Sequence, residues 1–363
     1  MQAPPPIATE IVLLGAGVAH LEVLRRFARR PQPGICLTLV APAQCTPADG
    51  MLPALVRGDG AAADAAIDLA PLAAAANARL ILAEPTGLDL AGRWLITSAH
   101  PALPFDLLSV DLHGESALPK PCDACIPVSP PSRFLAQLPA LDNALPDGAR
   151  LAIVGGDPDT GRGNGSAGPP HGGHPSAAAL GHANGTAAVE LALALATRFR
   201  GRFRIVLVSE APEPLADAPL RVRRAARAAL VDATVELASA VRAGALTAGR
   251  LALSDGSFLA ADAVLWAGGT LAPPCLARSG LACDAAGRVQ VNAGQRSVSH
   301  YCVFAAGDCA ARPRDRATGA LLFANLCRAA RGRRLTRGLR WLLPPAPWVA
   351  WAPWVARRSA AES

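Results

Sequence analysis

Short apolar runs recur along the chain, and the longer ones lead into stretches with helical spacing. The first run, Ile11-Val12-Leu13-Leu14, ends in Gly15-Ala16-Gly17, after which Leu21, Leu24, Phe27 and Ala28 fall on one helical face. That spacing predicts a strand, a tight turn and a helix. A break at Pro31-Gln32-Pro33-Gly34 precedes a second run, Ile35 to Val40, and the three elements make a βαβ unit. The sequence restarts in the same way at mid-chain. Leu151-Ala152-Ile153-Val154 ends in Gly155-Gly156, a helix is predicted from Thr186 to Leu195, and a strand from Arg204 runs to Glu210. Between the two units the spacing predicts an Ala-rich helix over 61–78 and short strands near 79–83, 94–97 and 105–111. Beyond them come strands at 234–237, 250–253 and 263–266, the run Val303 to Asp308, and a last helix from Gly319 to Arg331. Alternation of this kind predicts an α/β fold.

One stretch breaks the alternation. Residues 157–184 are Gly, Pro, Ser, Ala and His without apolar periodicity, and are expected to form a disordered insertion. They enter where the second glycine loop should close. His171, His174 and His182 lie there without a Cys or an acid at ligand spacing, so no metal site is expected. Composition changes the picture little. The formal charge is +7 and Lys120 is the single lysine, an arginine bias that reads as genome base composition before it reads as function. No secretory leader or membrane-spanning run is visible, and nine scattered cysteines suggest reduced thiols, so a cytoplasmic protein is expected.

The glycines carry the first chemistry. Gly15 permits a tight turn, and Gly17 removes a Cβ where a pyrophosphate would approach the amino end of the helix. The third small residue of that fingerprint is replaced by His20. The second strand ends without an acid, at Ala41 to Gln44, whereas the strand after the second loop ends in Glu210. Glu210 is either an acceptor for a ribose hydroxyl or a solvated charge at a strand end. Cys122-Asp123-Ala124-Cys125 has dithiol spacing but sits among prolines, and incidental thiols are expected. Residues 336–363 mix arginines with Trp341, Trp348, Trp351 and Trp354. Such a tail suits peripheral contact with an anionic membrane, or equally packing on the protein body or at a homodimer contact. Prolines there prevent a continuous amphipathic helix, and no nucleic-acid motif accompanies the charge.

Taken in order, Gly15-Ala16-Gly17, the loop at Gly155-Gly156, Trp266-Ala267-Gly268-Gly269 and Val303 to Asp308 resemble the pyridine nucleotide-disulfide oxidoreductase superfamily. Within it the chain is similar to the type II NADH dehydrogenase-like branch. Ala19 to Phe27, Gly50-Met51-Leu52-Pro53 and Ile67 to Leu72 further resemble the flavoprotein associated with selenide, water dikinase. The resemblance implies two Rossmann-like dinucleotide-binding domains. A discontinuous FAD domain would take 1–118 and 271–335, with an NAD(P)-type domain inserted at 148–270. It implies that Gly15, Ala16, Gly17 and Gly307 face FAD and that Asp308 accepts from its ribityl chain, the alternative for Asp308 being a plain helix N-cap. It assigns Gly155, Gly156, Gly185, Glu190, Glu210 and Gly268 to NAD(P)H, with Ala188 at the third-glycine position. The implied activity is an FAD-dependent NAD(P)H oxidoreductase delivering electrons to a small acceptor such as a quinone, in the cytoplasm or peripherally on the inner face of the plasma membrane. No catalytic side chain is singled out. Glutamines of the family's quinone-side helix are missing between Cys309 and Asn325. That keeps open a non-catalytic flavin- or partner-binding protein linked to selenium metabolism.

Overall fold

The computed structural model describes residues 9–48, 50–58, 66–119, 122, 124–155, 178–216, 218–312 and 317–336, with the backbone alone for 178–185. The chain forms two compact units. One gathers the described residues through Ala117, Pro127–Ala140 and those from Thr270 onward; the other gathers Leu118–Ile126 and Leu141–Gly269.

The first unit is built on β1 (Thr9–Leu14), which pairs in parallel with β2 (Ile35–Ala41) on one side and with Leu107–Val110 on the other. Ala78–Leu82 and Val303–Ala305 complete a five-stranded sheet, each parallel to its neighbour. Strands buried on both faces of a parallel sheet read as continuous apolar runs. That is why Ile11 to Leu14 show no alternation: all four are fully buried. Helix α1 (Val18–Arg29) is the crossover from β1 to β2 and buries Leu21, Val23, Leu24 and Phe27. The last helix, Thr318–Ala330, lies against α1, with Phe27 and Phe323 edge to face at 5.1 Å between centroids. Gly319 makes that approach close, since a Cβ there would come within 2.7 Å of the Glu22 Cβ.

The Ala-rich stretch departs from expectation. Among its described residues, 66–78, the helix spans Leu69–Ala75, and Ala66–Asp68 pairs antiparallel with Cys45–Pro47. Asp68 is the reason: its carboxylate accepts from the Ala70 N–H at 2.9 Å and starts the helix there, while Asn77 at φ +51° follows its end.

The second unit repeats the βαβ arrangement. Arg150–Gly155 pairs in parallel with Arg204–Ser209 and with Ala263–Trp266, and Glu236–Ser239 extends the sheet beyond Arg204–Ser209. The crossover helix spans Ala178–Phe199, so residues 178–184, expected to be disordered, are helical. Ala and Leu in Ala178-Ala179-Leu180 extend a helix nucleated downstream at little cost, whereas Gly181 and Gly185 each weaken it by about 1 kcal/mol without breaking it. Residues 157–177 and the Arg- and Trp-bearing tail past Thr336 lie outside the described residues. Cys122 and Cys125 form a disulfide with Cα atoms 5.7 Å apart, which corrects the expectation that all nine cysteines are thiols. Cys-x-x-Cys spacing brings the two side chains within bridging distance. No helix among the described residues is long and apolar enough to cross a membrane.

Candidate functional site

In the first unit, three chain segments converge where β1, Leu107–Val110 and Val303–Ala305 end. The first is the turn after β1. Gly15 adopts φ +94° and donates its N–H to Val40 O at 2.8 Å; a Cβ there would overlap the Asp111 carbonyl. Ala16 is buried, and Gly17 is the N-cap of α1, donating to Asp111 O at 3.0 Å. His20 is fully buried at the position that the fingerprint reserves for a small residue. Its Nδ1 lies 2.7 Å from Gly15 O and its Nε2 2.8 Å from Ser109 Oγ. A carbonyl only accepts, so Nδ1 carries the proton and the Ser109 hydroxyl donates to Nε2. Burial lowers the His20 pKa, with the Asp111 charge and the Gly15 bond opposing it, and the ring is held neutral.

The second segment begins at Asp111, which follows Leu107–Val110 and is 2% exposed. Its Oδ2 accepts from the N–H groups of Ala19, at 3.0 Å, and His20, at 3.1 Å. A Cβ on Gly17 would fall within this carboxylate, so the space that Gly17 leaves is filled by Asp111. The sequence reading missed Asp111 as a site residue. Its one signal was an acid directly after the strand Leu107-Leu108-Ser109-Val110, three of whose four residues are apolar.

The third segment is the turn Gly307–Cys309, which Gly307 opens at φ +60°. Asp308 sits inside this turn, not at an N-cap, and its Oδ2 accepts from the Gly114 N–H at 3.1 Å. The Cys309 thiol donates to Leu112 O at 3.4 Å, and burial raises its pKa well above the usual thiol range. Next to Gly114, His113 keeps a buried Nε2 without a partner among the described residues. A bound polar molecule would satisfy such an atom.

In the second unit, Gly155 ends its strand against the crossover helix, where a Cβ would come within 2.5 Å of the Ala188 Cβ. This is the close strand–helix packing that the third position of the fingerprint serves. Gly156 lies outside the described residues. Gly185 lies within the helix Ala178–Phe199 and not at its start, and Glu190 is half-buried farther along it. Glu210 follows Ser209, and its carboxylate accepts from Arg242 Nε at 2.8 Å and also from Nη2. Gly268 is buried just past Trp266, where the Ala267 N–H donates to Val154 O at 2.9 Å. Register places Gly155 opposite Ser209 and Val154 opposite Trp266, so Gly155, Glu210 and Gly268 share one end of this sheet. No cluster of His, Cys, Asp or Glu that would hold a metal occurs among the described residues.

Residues 184–322 match the family model described as pyridine nucleotide-disulphide oxidoreductase. That match takes in 139 of the 363 residues, less than half of the chain. The chain is 36% identical over 112 residues to an NADH dehydrogenase-like protein of Mycobacterium tuberculosis, in strains CDC 1551 and H37Rv alike. That match covers 31% of this chain and 28% of the relative, so it spans less than a third of either. Among solved structures, the fold is similar to the sulfide:quinone oxidoreductase of Aquifex aeolicus, with a TM-score of 0.64 at 15% identity over 89% of this chain and 76% of that one. It is also similar to an NAD-dependent persulfide reductase of A. fulgidus, with a TM-score of 0.66 at 16% identity over 91% and 60% of the two chains. At such identities the likeness establishes the shared fold. The link to selenide, water dikinase has no counterpart among these relatives.

Proposed function

We propose that this protein is an FAD-dependent NAD(P)H oxidoreductase that delivers electrons to a small acceptor such as a quinone. The observation that carries the reading is the convergence of Gly15–Gly17, Asp111–Gly114 and Gly307–Asp308 at the carboxyl ends of adjacent parallel strands, the place where α/β sheets hold nucleotides. FAD, when bound, supplies a ring that accepts a hydride and passes electrons on. The chain's own residues bind and orient. Gly15, Ala16 and Gly17 shape the turn that would face the pyrophosphate. Gly307 sets the turn that presents Asp308, whose carboxylate would accept from the ribityl hydroxyls, with His113 Nε2, unpartnered among the described residues, close by in sequence. The fit is good on this side. On the pyrophosphate side, two amides of the first turn of α1 already serve Asp111.

For the nicotinamide nucleotide, the proposed residues are Gly155, Gly156, Gly185, Glu190, Glu210 and Gly268. The paired Glu210 and Arg242 offer an acceptor for a ribose hydroxyl and a cation for a 2′-phosphate. The names of the similar structures include a quinone and a persulfide as electron acceptors, which supports a small acceptor here too.

The test is an anaerobic titration. NADH or NADPH should bleach the visible flavin band of the FAD-loaded protein, and a soluble quinone should restore it. Bound flavin that neither nucleotide reduces would overturn the reading. A second reading, flavin or partner binding without turnover, is favoured by the helix at 178–185, which puts Gly185 inside the helix and not at its amino end, where a phosphate-facing residue would lie. The link to selenium metabolism belongs with that reading, whereas the membrane or homodimer role of the tail is open to either reading; all of these rest on sequence alone.

A further inference from the structure

The amino end of α1 already holds an anion, and it is the protein's own. The Asp111 backbone is fixed at both ends of the turn: its N–H donates to Leu14 O at 2.8 Å and its carbonyl accepts from Gly17 N–H at 3.0 Å. From that fixed point the side chain reaches into the first turn of α1, where Oδ2 takes the amide hydrogens of Ala19 and His20. The carboxylate is shut off from solvent, and Gly17 lacks a Cβ where that carboxylate lies. A dinucleotide pyrophosphate at this turn would need these same amides and would meet a like charge in the space left by Gly17.

We infer that Asp111 is a resident carboxylate that competes with the flavin pyrophosphate for the amino end of α1, and so sets how tightly FAD is held. The inference rests on the proposed FAD-binding role of this unit. FAD engages the Ala19 and His20 amides only when the Asp111 side chain rotates away from them. Riboflavin carries no phosphate and is indifferent to Asp111. The residue is therefore an affinity-setting residue, without a part in electron transfer.

The experiment compares flavin-free wild type, Asp111→Ala and Asp111→Asn by calorimetric titration with FAD and with riboflavin, after circular dichroism has established that each is folded. Asp111→Ala frees both amides and removes the charge, and should bind FAD about tenfold or more tighter than wild type. Asp111→Asn keeps an acceptor without the charge, should gain less, and decides the matter alone if the alanine variant does not fold. Riboflavin affinity should stay constant across the three. Equal FAD affinities within about twofold would overturn the inference and leave the flavoprotein reading standing. An equal gain for riboflavin would also overturn it, because the effect would then be a general loosening. Should none of the folded proteins bind FAD, the inference and the reading fall together.

Discussion

Gly17 and Asp111 illustrate how one residue's identity is set by another far along the chain. Placing a Cβ on Gly17 forces the buried carboxylate to move. Gly17→Ala should destabilise the protein by about 1–3 kcal/mol in urea denaturation. Asp111→Gly removes the obstacle, so the double variant should lose less than the sum of the two single changes, and strict additivity would contradict the packing described. His20 gives a pH dependence. Burial lowers its folded-state pKa below the ordinary 6.5, so the native ring stays neutral while the unfolded ring takes up a proton. Stability is then level above that value and falls as pH drops below it toward the folded-state pKa. Unfolding free energies measured between about pH 7.5 and pH 5 should show this decline, and His20→Gln should flatten it. At the second site, Glu210→Ala should raise KM for NADH more than for NADPH, and Arg242→Ala the reverse. Steady-state kinetics with both nucleotides check this, and equal changes for the two would remove Glu210 and Arg242 from the site. The turns that carry Gly15, Gly17 and Asp308 were legible in the sequence because turn glycines and strand-end acids have local signatures. Asp111 was not, since its partners lie 91 and 92 residues away along the chain.

At the scale of elements, close strand–helix contact decides the second βα unit. Gly155 lies under Ala188, and Gly155→Val should disrupt the second unit, costing about 1–3 kcal/mol or more and lowering the thermal midpoint. Ala188→Gly should recover part of that loss, whereas a midpoint unchanged by Gly155→Val would rule out the contact. The crossover helix also shows where sequence reading falls short. Its centre, from Thr186 on, has clear helical spacing, but its first residues follow a Gly- and Pro-rich stretch and were read along with it. Helix growth from a packed nucleus is cheap, so the element starts earlier than its own periodicity announces. The Ala-rich stretch at 61–78 errs in the opposite direction. Alanine favours helix everywhere, and the cap at Asp68 rather than propensity chose the start.

At the scale of the whole molecule, the first unit joins early and late segments of the chain. Val303–Ala305 pairs with Leu107–Val110, itself paired with β1, which brings Gly307–Asp308 into the same strand-end cluster as Gly15–Gly17. Apolar runs and helical spacing are properties of neighbouring residues. The chain order alone therefore determined an α/β fold with two glycine-ended strands leading into helices. Which groups occupy the amino end of α1 depends on the register of strands far apart in the sequence. Parallel pairing sets that register by burial on both faces and leaves no local mark. For that reason the folded chain, and not its pattern of residues, revealed that the amides expected to hold a phosphate already hold Asp111.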